Sequence, residues 1–181
     1  AFSVNNTKQL FHTTDKNRVE VFDFESDVVV YDMNRDEIVS TSLLMSQSAF
    51  ETFPTFSPDG KTLYFCSADS LTMPDNYDKV RYSLCSISFD EKKRSFGDKV
   101  DTLYNASNGK SVSFPRISPD GKYLMFTLSG YGNFSIWHKD ADLYLANLKS
   151  REITPSKELN SNDTESYHSW SSNSRWLVFG T

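Results

Sequence analysis

One segment of this chain is written twice. Phe53 to Phe65 reads Phe-Pro-Thr-Phe-Ser-Pro-Asp-Gly-Lys-Thr-Leu-Tyr-Phe, and Phe114 to Phe126 reads Phe-Pro-Arg-Ile-Ser-Pro-Asp-Gly-Lys-Tyr-Leu-Met-Phe. Each copy spells a β-hairpin. A short apolar run stops at Ser-Pro, because Pro fixes φ near −65° and has no N–H for a strand ladder. Asp-Gly then reverses the chain, because Gly accepts φ > 0 without a steric cost. A second run, rich in aromatic and aliphatic residues, follows.

Two weaker copies flank these. Trp170 to Phe179 has the same shape with Asn173-Ser174 at the turn, and Phe2 to Phe11 fits with Asn5-Asn6. The anchors Phe2, Phe56, Ile117 and Trp170 recur every 53 to 61 residues. The register continues beyond the hairpin. Val28-Val29-Val30, Tyr82-Ser83-Leu84 and Leu143-Tyr144-Leu145 each begin 26 residues after their anchor. A fourth short strand is expected near Ile38-Val39, Thr102-Leu103-Tyr104 and Glu152-Ile153-Thr154. Units of four short antiparallel strands at this period predict an all-β chain folded as a β-propeller, one blade per unit. The blades fall at about 1–49, 50–111 and 112–164, with the first hairpin of a fourth at 165–181. Propellers close with several more blades than this. The 181 residues therefore read as about three and a half blades of a larger ring. Missing blades or a second copy are expected to cover the open blade faces.

Strand composition agrees. Leu63 and Phe65 point to one side of their strand, Tyr64 and Cys66 to the other, and both sides are apolar or aromatic. A strand sandwiched between two blades needs that pattern. Cys66 and Cys85 lie on adjacent antiparallel strands. With a connection over 67–80, Cys85 falls opposite residue 62 or 63, too far from Cys66 for a disulfide.

A formal charge of −5 and a pI near 5.2 argue against a nucleic-acid partner. Glu91-Lys92-Lys93-Arg94 is the one basic cluster and reads as a solvated turn. No apolar run reaches the roughly 18 residues of a membrane span. The N-terminus shows no signal-peptide pattern.

Chemistry is sparse. G-x-S-x-G, H-E-x-x-H and a Gly-rich phosphate loop are all absent, and no cofactor or metal is called for. Candidate residues come from position. Connections of nearly equal length, 13–27, 67–80 and 128–141, are expected on one face, opposite the Asp-Gly turns. The third holds Tyr131, Trp137, His138 and Asp140. In one reading its rings stack on a ligand beside a titratable His and two carboxylates, Asp140 and the adjoining Asp142. In the other, Phe134, Ile136 and Trp137 fold the loop back onto the blade. His138 and Asp140 alone are a weak metal signal without a third ligand. First strands should line the central channel, which adds Glu51, Arg116, Glu165 and His168. Arg116 and His168 interrupt the apolar pattern where buried charge is costly, so each is expected either to pair with a carboxylate or to bind.

The repeated Ser-Pro-Asp-Gly-Lys turn followed by x-Leu-x-Phe resembles the WD40-like, or PD40, repeats of the TolB-like propeller family. The resemblance covers nearly the whole chain and is degenerate at Asn5-Asn6 and Asn173-Ser174. The Gly-His and Trp-Asp pairs of eukaryotic WD40 blades are missing. It implies a bacterial propeller of six or seven blades, periplasmic or otherwise cell-envelope associated, that serves as a non-catalytic platform for a protein or envelope ligand. Similar-looking propellers also form part of oligogalacturonate lyases and prolyl oligopeptidase-like peptidases, which leaves an enzyme portion as the alternative. The matching residues belong to turns and core, so the resemblance assigns no functional residue.

Overall fold

The computed structural model describes residues 1–16 and 19–181. The first sheet holds β1 (Phe2–Phe11), β2 (Val19–Asp32) and β3 (Glu37–Val39) in the order β1-β2-β3. The second holds β4 (Ala49–Phe56), β5 (Thr62–Asp69), β6 (Ser83–Asp90) and β7 (Ser95–Tyr104). The third holds β8 (Ser111–Ile117), β9 (Tyr123–Ser129), β10 (Asp142–Asn147) and β11 (Ile153–Pro155). β12 (Ser166–Trp170) and β13 (Leu177–Gly180) form a final hairpin. All pairings are antiparallel between chain neighbours. First strands β4, β8 and β12 stand side by side.

The repeated turns owe their shape to their own side chains. Ser57 Oγ donates to Asp59 Oδ1 at 2.6 Å and accepts from the Thr62 amide at 3.0 Å. Asp59 Oδ1 also accepts from the Lys61 amide at 3.1 Å. Ser118 and Asp120 repeat this with Tyr123 and Lys122. Ser171 and Asn173 repeat it with Trp176 and Arg175. Asn replaces Asp without loss because only the side-chain oxygen is used. The next residue takes φ near +71° at Gly60 and Gly121 and +59° at Ser174. A Cβ at Gly60 would meet nothing within 4 Å, so only the backbone resists a side chain there. Gly60→Ala is expected to cost about 1 kcal/mol, the left-handed penalty less the entropy removed from the unfolded chain. A urea midpoint equal to wild type would contradict this.

Two buried clusters lie between the sheets. Val28 and Leu44 meet Leu63, Phe65, Cys85 and Ile87 across the first and second sheets. Phe50, Cys66, Tyr82 and Leu84 meet Val112, Leu124, Phe126 and Leu128 across the second and third. The second sheet is thus buried on both faces, as its double apolar pattern requires. Cys66 and Cys85 are free thiols in different clusters. Cys85 lies opposite Phe65, not residue 62 or 63, because the β5–β6 connection begins later than expected. Large apolar side chains are exposed on the outermost sheets, among them Met33, Ile38, Trp176 and Val178.

The first unit departs from expectation. Asn5-Asn6 makes no turn, and β1 runs straight through it against β2 with one register shift. The side chains that close the other turns are engaged elsewhere here, Asn5 donating to Asp23 at 2.9 Å and Ser3 Oγ accepting from Thr52 at 3.4 Å. The first sheet has three strands, and most of the expected loop 13–27 is β2.

A second repeat lies in the outer turns. Asp32, Asp90 and Asn147 each accept from backbone amides of their turn. Four residues later Asp36, Arg94 and Arg151 take φ of 57°, 56° and 61°. Arg94 reaches the preceding sheet, with Nε 2.7 Å from Asp32 Oδ2 and a nitrogen 2.7 Å from Glu37 Oε2. Arg151 does the same to Asp101 at 2.6 Å and to the Thr102 carbonyl at 2.9 Å. The basic cluster is therefore not merely a solvated turn. Lys93 stays in solvent, while Arg94 ties two sheets together.

Candidate functional site

Each first strand carries a register shift at the same place, after Thr52, Ser113 and Ser166. The residues Phe53, Phe114 and Tyr167 there adopt φ of 51–52°. Bulky residues rarely hold that conformation. Here the bulge turns their rings along the row of first strands. Phe53 and Phe114 have centroids 4.7 Å apart, and Phe114 and Tyr167 4.9 Å apart.

The expected first-strand residues separate into different roles. His168 is buried, and its Nε2 lies 2.9 Å from the Met125 carbonyl, which ties β12 to β9. Burial, with a smaller contribution from the Arg116 cation, pushes the imidazole down to about 4, so the ring is neutral and donates from Nε2. Arg116 is exposed rather than buried, and no ion pair forms at it among the described residues. Its guanidinium bonds the Pro115 carbonyl at 3.2 Å, and its own carbonyl accepts from Trp170 Nε1 at 3.0 Å. The bulge is the physical reason, because it moves Arg116 off the face that sequence alternation assigns to it. Glu51 and Glu165 are both buried and both take hydrogen bonds from the link preceding their strand, from the Ser46 backbone and from Ser161. Burial pushes the Glu51 carboxyl up to about 7.

The loop after β9 divides its candidates. Tyr131 and His138 come together, ring centroids 4.4 Å apart, against β2. Tyr131 donates to Glu20 Oε1 at 2.8 Å, and His138 Nε2 lies 3.8 Å from Glu20 Oε2. Beside them Asn133 donates to Asp23 at 2.6 Å. These contacts span about 110 positions of sequence and fasten the β1–β2 hairpin to the third sheet's loop. Tyr131 and His138 are therefore packing residues of this junction. Trp137 and Asp140 are not part of it. Trp137 sits at the end of a short 3-10 turn with half of its surface in solvent, and Asp140 is exposed above Gly130.

Two clefts open on this same face. One of about 470 Å³ lies between the β5–β6 connection and Asn105–Ser107, with Lys79 and Arg81 at its side. The other, about 580 Å³, lies between β2 and the link into β4. A cleft of about 430 Å³ on the opposite, turn face runs past Lys122 and Lys149. No group of three His, Cys, Asp or Glu residues among the described residues could hold a metal. No helix of the described residues is long and apolar enough to cross a membrane.

No family model matches the chain, and no curated protein matches it. Among solved structures it is similar to the crystal structure of an ACO/RPE65 chimera, with 14% identity and a TM-score of 0.50 over 98% of this chain. The match covers 41% of that longer chain, and the likeness is one of fold alone. The fold is propeller-like.

Sequence reasoning missed Glu20 and Asp23, which lie in a stretch read as loop. Val19-Glu20-Val21 and Phe22-Asp23-Phe24-Glu25 each alternate apolar with acidic residues, the phase changing once between Val21 and Phe22, and these two runs were the available strand signal. It also missed the interblade arginines, whose spacing from an Asp or Asn four residues earlier repeats at Arg94 and Arg151.

Proposed function

We propose that this chain forms about three and a half blades of a six- or seven-bladed propeller of the TolB-like, PD40-containing kind. In this reading it is a platform in the bacterial cell envelope that binds a protein or envelope ligand without a catalytic group of its own. One observation carries it. The turn face is built of short hairpins whose polar groups satisfy one another, with the exposed Trp176 at one hairpin and one cleft of about 430 Å³, whereas the loop face presents the exposed Trp137 and two larger clefts of about 580 and 470 Å³. Trp is among the residue types enriched at binding hot spots. His168 and His138 are each engaged in holding sheets together, which gives the lyase-like alternative little to build on.

The test is site-specific photo-cross-linking in cells that make the natural protein. A photoreactive residue at position 137 is expected to capture a defined partner, and one at Lys61 on the turn face is not. Equal capture from both positions, or capture only from position 61, overturns the assignment of the face.

A further inference from the structure

Asp59-Gly60, Asp120-Gly121 and Asn108-Gly109 share one latent reaction. In each, the glycine nitrogen can attack the side-chain carbonyl carbon of the residue before it, because glycine has no side chain to shield that nitrogen. The fold treats the three steps differently. Asp59 Oδ1 accepts from the Ser57 hydroxyl at 2.6 Å and the Lys61 amide at 3.1 Å. Asp120 Oδ1 accepts from the Ser118 hydroxyl at 2.7 Å and the Lys122 amide at 3.2 Å. These bonds, the hydroxyl first, hold both carboxyls below the usual carboxylate range. An ionised carboxylate is a poor target for a nucleophile. Asn108 has neither protection. It is exposed, and its side-chain amide bonds nothing among the described residues. It ends the three-residue 3-10 turn Ala106–Asn108 between β7 and β8, which buries no residue. Two backbone bonds close that turn, from Asn108 to the Asn105 carbonyl at 3.1 Å and from Gly109 to the Ala106 carbonyl at 2.9 Å. So small a segment opens at low cost while the strands beside it stay paired. Gly109 has φ of +96°, and a Cβ there would meet nothing within 4 Å, so nothing packs over it.

From these contrasts we infer that Asn108 is a site of spontaneous modification, converting to aspartate and isoaspartate through a cyclic imide. When the turn opens, the Gly109 nitrogen gives its proton to solvent and bonds to Asn108 Cγ. The Cγ–Nδ2 bond breaks, and the nitrogen leaves as ammonia after taking a proton from water. Water then adds to one of the two ring carbonyls. Opening at one leaves aspartate, and opening at the other routes the backbone through the side chain as isoaspartate. Water is the only co-reactant. Other asparagines lack one requirement or the other. Asn173 Oδ1 is held by the Ser171 hydroxyl at 2.8 Å and the Arg175 amide at 3.1 Å. Asn34 and Asn162 have free side chains, but Arg35 and Asp163 follow them and crowd the attacking nitrogen. Asn105–Ser107 line the cleft of about 470 Å³ that has Lys79 and Arg81 at its side. Conversion therefore sets a new carboxylate beside that cleft, and isoaspartate lengthens the backbone that frames it.

The experiment keeps the whole chain in neutral buffer at body temperature and samples it over weeks. Ion-exchange chromatography follows charge, and peptide mapping separates aspartate from isoaspartate. A more acidic species should accumulate, with both products at position 108. Asn108 should convert at least about tenfold faster than Asn173, whose side chain must first lose two hydrogen bonds. Isomerisation at Asp59 and Asp120 should be slower in the fold than in urea, where their turns are open. Asn108→Gln, whose longer side chain cannot close the five-membered ring, should lose the acidic species. Conversion at Asn173, Asn34 or Asn162 as fast as at Asn108 overturns the proposal. So does an acidic species formed by Asn108→Gln at the wild-type rate. An Asn108 that converts in urea but stays intact in the fold overturns it as well, because the turn then does not open.

Discussion

Phe126→Ala should lower the unfolding free energy by about 3–5 kcal/mol, a large share of the roughly 5–15 kcal/mol that holds a typical domain. Phe126 is fully buried on β9, in the cluster between the second and third sheets. Its ring lies 6.2 Å from those of Tyr104 and Tyr144. Truncation removes the largest buried side chain that the third sheet contributes to this cluster. The walls are strands whose positions are fixed by their own ladders, so the cavity cannot collapse without breaking hydrogen bonds. Tyr123, at the start of the same strand, is the control. It is 36% exposed, and Tyr123→Ala should cost far less. Urea unfolding of the two variants beside wild type decides the matter. A Phe126→Ala midpoint equal to wild type would mean that the two sheets are not packed on one another through this residue.

The same sheets show why part of the fold was legible and part was not. Ser57-Pro58-Asp59-Gly60 is read easily because every residue of the turn has a local task, and each bond it makes spans five residues or fewer. Asn173-Ser174 could be recognised because Asn supplies the same oxygen. Asn5-Asn6 misled for the converse reason. Ser3 and Asn5 stand where Ser171 and Asn173 stand in the turn, but distant residues take their side chains, Asp23 bonding Asn5 and Thr52 bonding Ser3. Once β1 is straight, β2 must lengthen to meet it, and the equal-loop expectation fails with it. The candidate site was half legible. Tyr131 and His138 do sit at a junction, but their partner Glu20 is 111 positions from Tyr131 and no local pattern announces it. Trp137 and Asp140 were grouped with them by sequence proximity, whereas a short 3-10 turn sends their side chains elsewhere. Arg116 was misjudged because the bulge at Phe114 breaks the period of two on which inside and outside are counted.

Glu51 and His168 should impose opposite and nearly cancelling pH dependences on stability. Glu51 in the fold is pushed up to about 7 from 4.5, chiefly by burial. Below pH 4.5 the carboxyl is protonated in both states and costs nothing extra. As pH rises from 4.5 to 7 the unfolded chain ionises first, and the fold loses on the order of 2–3 kcal/mol. His168 is pushed down to about 4 from 6.5, again chiefly by burial. Above pH 6.5 it is neutral in both states. As pH falls from 6.5 to 4 the unfolded chain takes the proton first, and the fold loses a similar amount. Between pH 4.5 and 6.5 the two slopes oppose, so wild type should be nearly flat there. Glu51→Gln removes one slope and exposes the other, and its stability should climb from pH 4.5 to 6.5. Any fixed cost of seating the amide appears at every pH and cancels when two pH values are compared. The variant should therefore gain on wild type by on the order of 2 kcal/mol between pH 4.5 and 8. Urea unfolding of both proteins at those two values measures it. A difference that does not change with pH would show that the Glu51 carboxyl ionises in the fold as it does in water, and that its burial is compensated by a partner other than the Ser46 backbone.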